Sequence, residues 1–409
     1  MSEHGKYVGL QEGKRSVPTG SVHKGGSAPK GRSGSKGGSA AKASRKKAGH
    51  AAKDAPVVLG VEMSGRRPLY FRYLCALVFI TLMTLIAELL GDAEIIFPET
   101  LAILTGMWVV ERPPWHVSKL WLVILLTASA LLGYFLVAHI DCPIYVKYMT
   151  GFVFCTVVLY SVRCTVWPMF SACILPILLG TDSIIYPIAV FLLMTGVALG
   201  MWGLEELGLH GKSRFRPSER PNKQGWLLWL GRVVLFGVIA APAMYFGQYY
   251  LVVPPLIVAY VGFSQRGNPL HDHWLKTIIL FAIVALLGTC CRFLLNLTLG
   301  LPLTLVTAVS ACMLFVLFEL FKIHLPPIGA AALLPCVINT ATIWLYPLEL
   351  AAGAVVLIGG AHLVFRWLPD HLDAKRALEE SAERVAEAPA KQLLDNPACS
   401  AQPYESPSM

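Results

Sequence analysis

The chain has 409 residues, 55% of them hydrophobic and only 14% charged, with a mean hydropathy of +0.60. That balance excludes an ordinary soluble domain and a wholly disordered chain, and points to an all-α polytopic transmembrane bundle. The net charge of +9 is not a property of the body: residues 1–72 hold 15 Lys and Arg against 4 Asp and Glu, whereas the rest holds 19 against 21.

Residues 1–66 run in low-complexity Gly, Ser, Ala and Lys order. They offer too few apolar groups to offset the entropy of ordering, and read as a disordered basic cytoplasmic tail. No apolar run suits a secretory signal, so the first span is expected to act as the anchor. The arm is poor in acid and rich in Ser and Ala, a composition shared with organellar transit peptides, but beside a membrane span it fits the anionic lipid leaflet better. No folded basic domain accompanies it, and nucleic acid is not an expected partner.

Apolar segments follow at about 71–90, 95–110, 120–140, 148–162, 169–179 and 184–202. A polar connector at 204–225 carries Lys212, Arg214, Arg216, Arg220 and Lys223. The pattern then returns at 226–246, 249–263, 275–299, 303–321, 328–338 and 343–368, before a polar tail at 370–409. Particular residues recur with it. Tyr186-Pro187 matches Tyr346-Pro347, and Pro168 with Pro176 matches Pro327 with Pro335 at an offset of 159. Phe97-Pro98 and Arg112 match Val253-Pro254 and Arg266 at offsets of 156 and 154. So slow a drift predicts one duplicated unit, as membrane repeat 1 over 67–203 and membrane repeat 2 over 226–369.

Lys and Arg flank both repeats on their N-terminal sides, which predicts a shared cytoplasmic face, an even number of crossings per repeat, and parallel repeats. Two segments in each repeat are short or Pro-broken. Four full spans with two re-entrant helices, or six crossings, both satisfy the parity, giving 8 to 12 crossings in total. The cysteines lack metal or redox spacing, and most lie in or beside apolar segments as small hydrophobes.

In lipid, irregular backbone survives only where protein covers it or a hydrated cavity meets it, so the broken helices mark the candidate site. The stretch 323–335, Ile-His-Leu-Pro-Pro-Ile-Gly-Ala-Ala-Ala-Leu-Leu-Pro, reads as a helix start inside or beside the membrane. Its first turn would present amide N–H groups and a positive dipole end, with small residues allowing close approach. The candidate substrate-binding residues there are His324, Pro326, Pro327, Gly329 and Ala330, joined by Pro254 on the other break. Tight helix packing accounts equally well for the small residues. In the first half Trp167, Pro168, Met169 and Phe170 occupy the aligned places, and that copy is expected not to bind. Pro98 and Glu99 are also candidates, the carboxylate suiting a helix N-terminus either as a cap or as a functional ionisable group. Arg163, Arg292, Glu319 and Glu349 read as interfacial side chains whose stems snorkel outward. His271-Asp272-His273 is too small a donor set for a metal. No nucleotide-binding or hydrolase signature occurs, so no catalytic residue, metal or cofactor is expected.

Pro326-Pro327-Ile328-Gly329-Ala330-Ala331-Ala332-Leu333, with Pro254, Gly262-Phe263, Asn268-Pro269-Leu270 and Tyr346-Pro347, resembles the HPP family of integral membrane proteins. That family is named for a His-Pro-Pro motif. Here the histidine stands one place early, at His324, with Leu325 before the prolines. The resemblance covers the second half, the first being a degenerate copy. It implies four transmembrane helices per unit and, since some members are implicated in nitrite transport, a small inorganic anion as substrate.

The expectation is therefore a transporter or channel for a small solute in a bacterial plasma membrane, with both termini cytoplasmic. The alternative is a non-transporting scaffold or sensor. Assembly as a homo-oligomer is the remaining partner expectation.

Overall fold

The computed structural model describes residues 66–111, 113–212, 215, 223–265 and 268–366, all within the unit Asp54–Met409. The expectations for the basic tail before Arg66, for Arg112 and Arg266, for most of the connector and for the tail at 370–409 lie outside these residues.

Twelve helices and no strand occur among the described residues. The first six are α1 (Arg66–Leu90), α2 (Glu99–Leu104), α3 (Lys119–Ala138), α4 (Ile144–Val162), α5 (Pro168–Leu179) and α6 (Ile185–Glu206). The second six are α7 (Lys223–Tyr245), α8 (Pro254–Phe263), α9 (Trp274–Cys291), α10 (Leu303–Phe321), α11 (Pro326–Leu333) and α12 (Leu345–Arg366). The order long, short, long, long, short, long thus occurs twice. Eight helices are long and apolar enough to cross a membrane, and the chain is an integral membrane protein of the helical-bundle class. The short helices α2, α8 and α11 are buried along their whole length, and α5 is buried from Pro168 to Ile177.

Local sequence sets these boundaries. Proline precedes α4 at Pro143 and α10 at Pro302, where a missing N–H costs nothing. Both helices end on a non-glycine residue in the left-handed region, Arg163 at φ 61° and Lys322 at φ 54°, each a conformation costing roughly 1–2 kcal/mol. The long helices turn Leu89, Val316 and Leu363 outward, so their apolar outer faces suit lipid.

The two sets are interleaved. Helix α1 packs on α10 and α4 on α7, while at the centre α2 packs on α11 and α5 on α8. Each short helix therefore has its main short partner in the other half.

Candidate functional site

Proline breaks both α5 and the end of α11, and the freed carbonyls find the same remedy. Pro176 and Pro335 have no N–H, so the carbonyls four residues earlier, at Ala172 and Ala331, lose their helical donors. Tyr186 Oη donates to Ala172 O at 2.9 Å, and Tyr346 Oη donates to Ala331 O at 2.7 Å. The next carbonyl in each case lies against a glycine of the neighbouring long helix. A Cβ added at Gly133 would meet Cys173 O at 2.2 Å, and one added at Gly288 would meet Ala332 O at 2.2 Å. The tyrosine-proline pairs noted in the sequence thus cap and wedge the broken helices.

The start of α11 is sealed. Pro326 and Pro327 occupy its first two positions and donate nothing, and Ile328 N already donates to Leu325 O at 3.2 Å. Pro326, Pro327, Gly329 and Ala330 are all buried. A Cβ on Gly329 would lie 3.1 Å from Ala102 N and 3.2 Å from the Leu101 carbonyl carbon, so glycine is needed where α11 crosses α2. The void beside Pro326 and Pro327 is about 10 Å³ and lined by apolar side chains, at or below the ~10–15 Å³ a single water requires. Pro254, also buried, begins α8 without a side-chain cap. The first three positions of α11 therefore offer no free amide to a solute, and close packing accounts for its small residues.

His324 is engaged nearby. The single phenolic proton of Tyr73 goes to Glu319 Oε1 at 3.1 Å, which leaves His324 Nε2–H as the donor to the phenol oxygen at 2.7 Å. Burial pushes the imidazole toward its neutral form. Glu319 is thus a hydrogen-bond partner, and Glu349 likewise accepts from Tyr250 N at 2.9 Å, so neither simply snorkels.

Glu99 stands apart. It is the first residue of α2, 1% exposed, and neither carboxyl oxygen has a hydrogen-bond partner of good geometry among the described residues. It does not cap its helix, because the neighbouring amides of Thr100 and Leu101 bond instead to the carbonyls of Phe97 and Pro98. Ser171 of α5 is close enough to interact with the carboxyl, and the charge reaches both Tyr186 and Tyr346. The acid therefore lies near the equivalent tyrosines of both halves. The position aligned with it at the 156 offset is Pro255, so the acid has no twin.

Two cavities open at opposite ends of α5. One, of about 400 Å³, is lined by Ile96, Tyr186, Tyr250, Leu179 and Asn339 among others, and reaches the tyrosine beside Glu99. The other, of about 220 Å³, is lined by Arg232, Arg163, Tyr160, Trp167, Phe170 and Gln265 among others. Trp167 and Phe170, in the copy expected not to bind, border this open space, whereas the void beside Pro326 and Pro327 is about 10 Å³.

Comparison of the chain with protein-family models, curated proteins and solved structures gives no match.

Arg232 went unnoticed in the sequence because it lies inside an apolar segment. Its counterpart at an offset of 160 is Arg72. Arg72 is 2% exposed and pairs with Glu111 at 3.7 Å. The signal that would have found the difference is charge at matched offsets. Glu111 becomes Gln265 at 154, and Glu319 becomes Tyr160 at 159.

Proposed function

We propose that this protein is a membrane transporter or channel for a small solute, and that Glu99 is the proton-accepting group of its central pathway. The observation that carries the reading is a fully enclosed carboxyl with no cationic partner among the described residues, near a tyrosine that lines a 400 Å³ cavity. Intramembrane acids are costly and persist where they move ions or protons. The absence of a second-half twin makes the pathway asymmetric about the broken helices. A small inorganic anion is the proposed substrate class, supported by the HPP-like run at 326–333 and by the excess of basic over acidic groups around the 220 Å³ cavity. The proposed location of the solute differs from the start of α11, where Pro326 and Pro327 have no amide N–H and that of Ile328 is engaged.

The body is proposed to be a duplicated unit with both termini cytoplasmic in a bacterial plasma membrane. Eight crossings return the chain to its starting side, which supports placing the ends together, and the basic arm then faces anionic lipid. A scaffold or sensor is the second reading, favoured by the sealed start of α11. Proteoliposomes separate the two. With nitrite, nitrate, formate and chloride offered in turn, at least one anion should enter faster under an inward proton gradient, and Glu99→Gln should remove that acceleration. No flux of any anion, or flux with the same pH response in Glu99→Gln, rejects the proposal.

A further inference from the structure

We propose that the 220 Å³ cavity is a binding site for a small oxyanion, free in solution or as the phosphate of an acidic lipid headgroup, held by Arg232. Arg232 is 6% exposed, and no carboxylate among the described residues lies within ion-pair distance of it. A guanidinium carries five N–H donors. Nη1 donates to Tyr160 Oη at 3.3 Å, Nη2 donates to Ser264 O at 2.8 Å, and Nε has no partner. Both acceptors are neutral. The Ser264 carbonyl, at the C-terminal end of α8, offsets the charge only in part, and a buried cation without a full counter-charge favours an anion beside it.

The walls suit an anion. Tyr160 accepts from Arg232 and so keeps its own phenolic proton to give. Thr165 Oγ1 accepts from His116 N at 2.7 Å and likewise retains a hydroxyl proton. Gln265 adds an amide and Arg163 a second cationic side chain, and no acid lines the space among the described residues. About 220 Å³ is far above the ~10–15 Å³ needed for one water, leaving room for a planar or tetrahedral anion with part of its hydration shell. At the matched place in the other half, protein carboxylates take that role, since Glu111 pairs with Arg72 and Glu319 accepts from Tyr73 beside it. With neutral groups at both of those positions, Arg232, unlike Arg72, has no carboxylate counter-charge among the described residues.

This inference specifies the solute class of the transport reading. Binding is measured without flux, so either can fail while the other stands. The full chain in neutral detergent is titrated calorimetrically with sodium nitrate and with sodium phosphate at constant ionic strength. In a second arm, retention of phosphatidylglycerol against phosphatidylcholine is followed by native mass spectrometry. Saturable binding of nitrate or phosphate assigns a free anion, and selective retention of phosphatidylglycerol alone assigns a headgroup; both support the site. Gln265→Glu, which supplies the missing carboxylate, should weaken the bound probe by at least about tenfold. Glu111→Gln, in the other half, should leave it unchanged. Arg232→Gln should abolish binding, and if that variant does not fold, Gln265→Glu decides alone. The proposal is overturned if no probe binds the wild type, or if Gln265→Glu binds as the wild type does.

Discussion

Arg72 and Arg232 occupy matched positions near the starts of α1 and α7, and both are buried, yet they have opposite surroundings. Arg72 has Glu111 at 3.7 Å, with Glu319 bonded to the adjacent tyrosine, next to a helix start whose void is about 10 Å³. Arg232 has a phenol, a backbone carbonyl and a glutamine beside a cavity of about 220 Å³. The backbone plan is shared and the electrostatics are not. Within one architecture, a closed polar cluster and an open cationic pocket differ by a few side-chain identities.

The comparison can be broken at the level of the shared plan. Gly133→Ala and Gly288→Ala each place a Cβ 2.2 Å from a backbone carbonyl, so both should lower stability by roughly 1–3 kcal/mol or more through overpacking. Thermal unfolding in detergent should show similar losses for the two, and a large effect at one site alone would undo the equivalence. Tyr186→Phe and Tyr346→Phe come next. Each strands a carbonyl already deprived of its helical donor by proline, and should cost about 1–3 kcal/mol, measured the same way. Smallest is the charge exchange. Glu111→Gln should destabilise by about 1 kcal/mol or less, because Glu111 is 41% exposed and water screens the pair. Gln265→Glu should be neutral or stabilising. Destabilisation by Gln265→Glu would mean that Arg232 already has an adequate counter-charge.

Much of this plan was legible in the sequence because it depends on local chemistry. Proline marks the short helices, apolar length marks the long ones, and the spacing of Tyr186 and Tyr346 repeats with the prolines they serve. The sequence leaves the start of α11 open between a solute site and tight packing because its contacts come from the other half. Only the crossing of α11 over α2 shows that Gly329 lies against Ala102 and not against solvent. The role of Glu99 was left between cap and functional acid for a similar reason, since its neighbours Ser171, Tyr186 and Tyr346 are distant in the chain. Arg232 was overlooked because a lone arginine in an apolar run resembles an interfacial residue, and its meaning depends on Gln265 and Tyr160 standing where Glu111 and Glu319 stand at the matched place.

The most direct measurement is the location of bromide in crystals of the full-length protein, by anomalous diffraction. The account predicts a peak within hydrogen-bonding distance of Arg232 in the 220 Å³ cavity, and none at Pro326 to Gly329. Bromide against the first turn of α11, or an Arg232 guanidinium closed off by a carboxylate with no ion beside it, would contradict it.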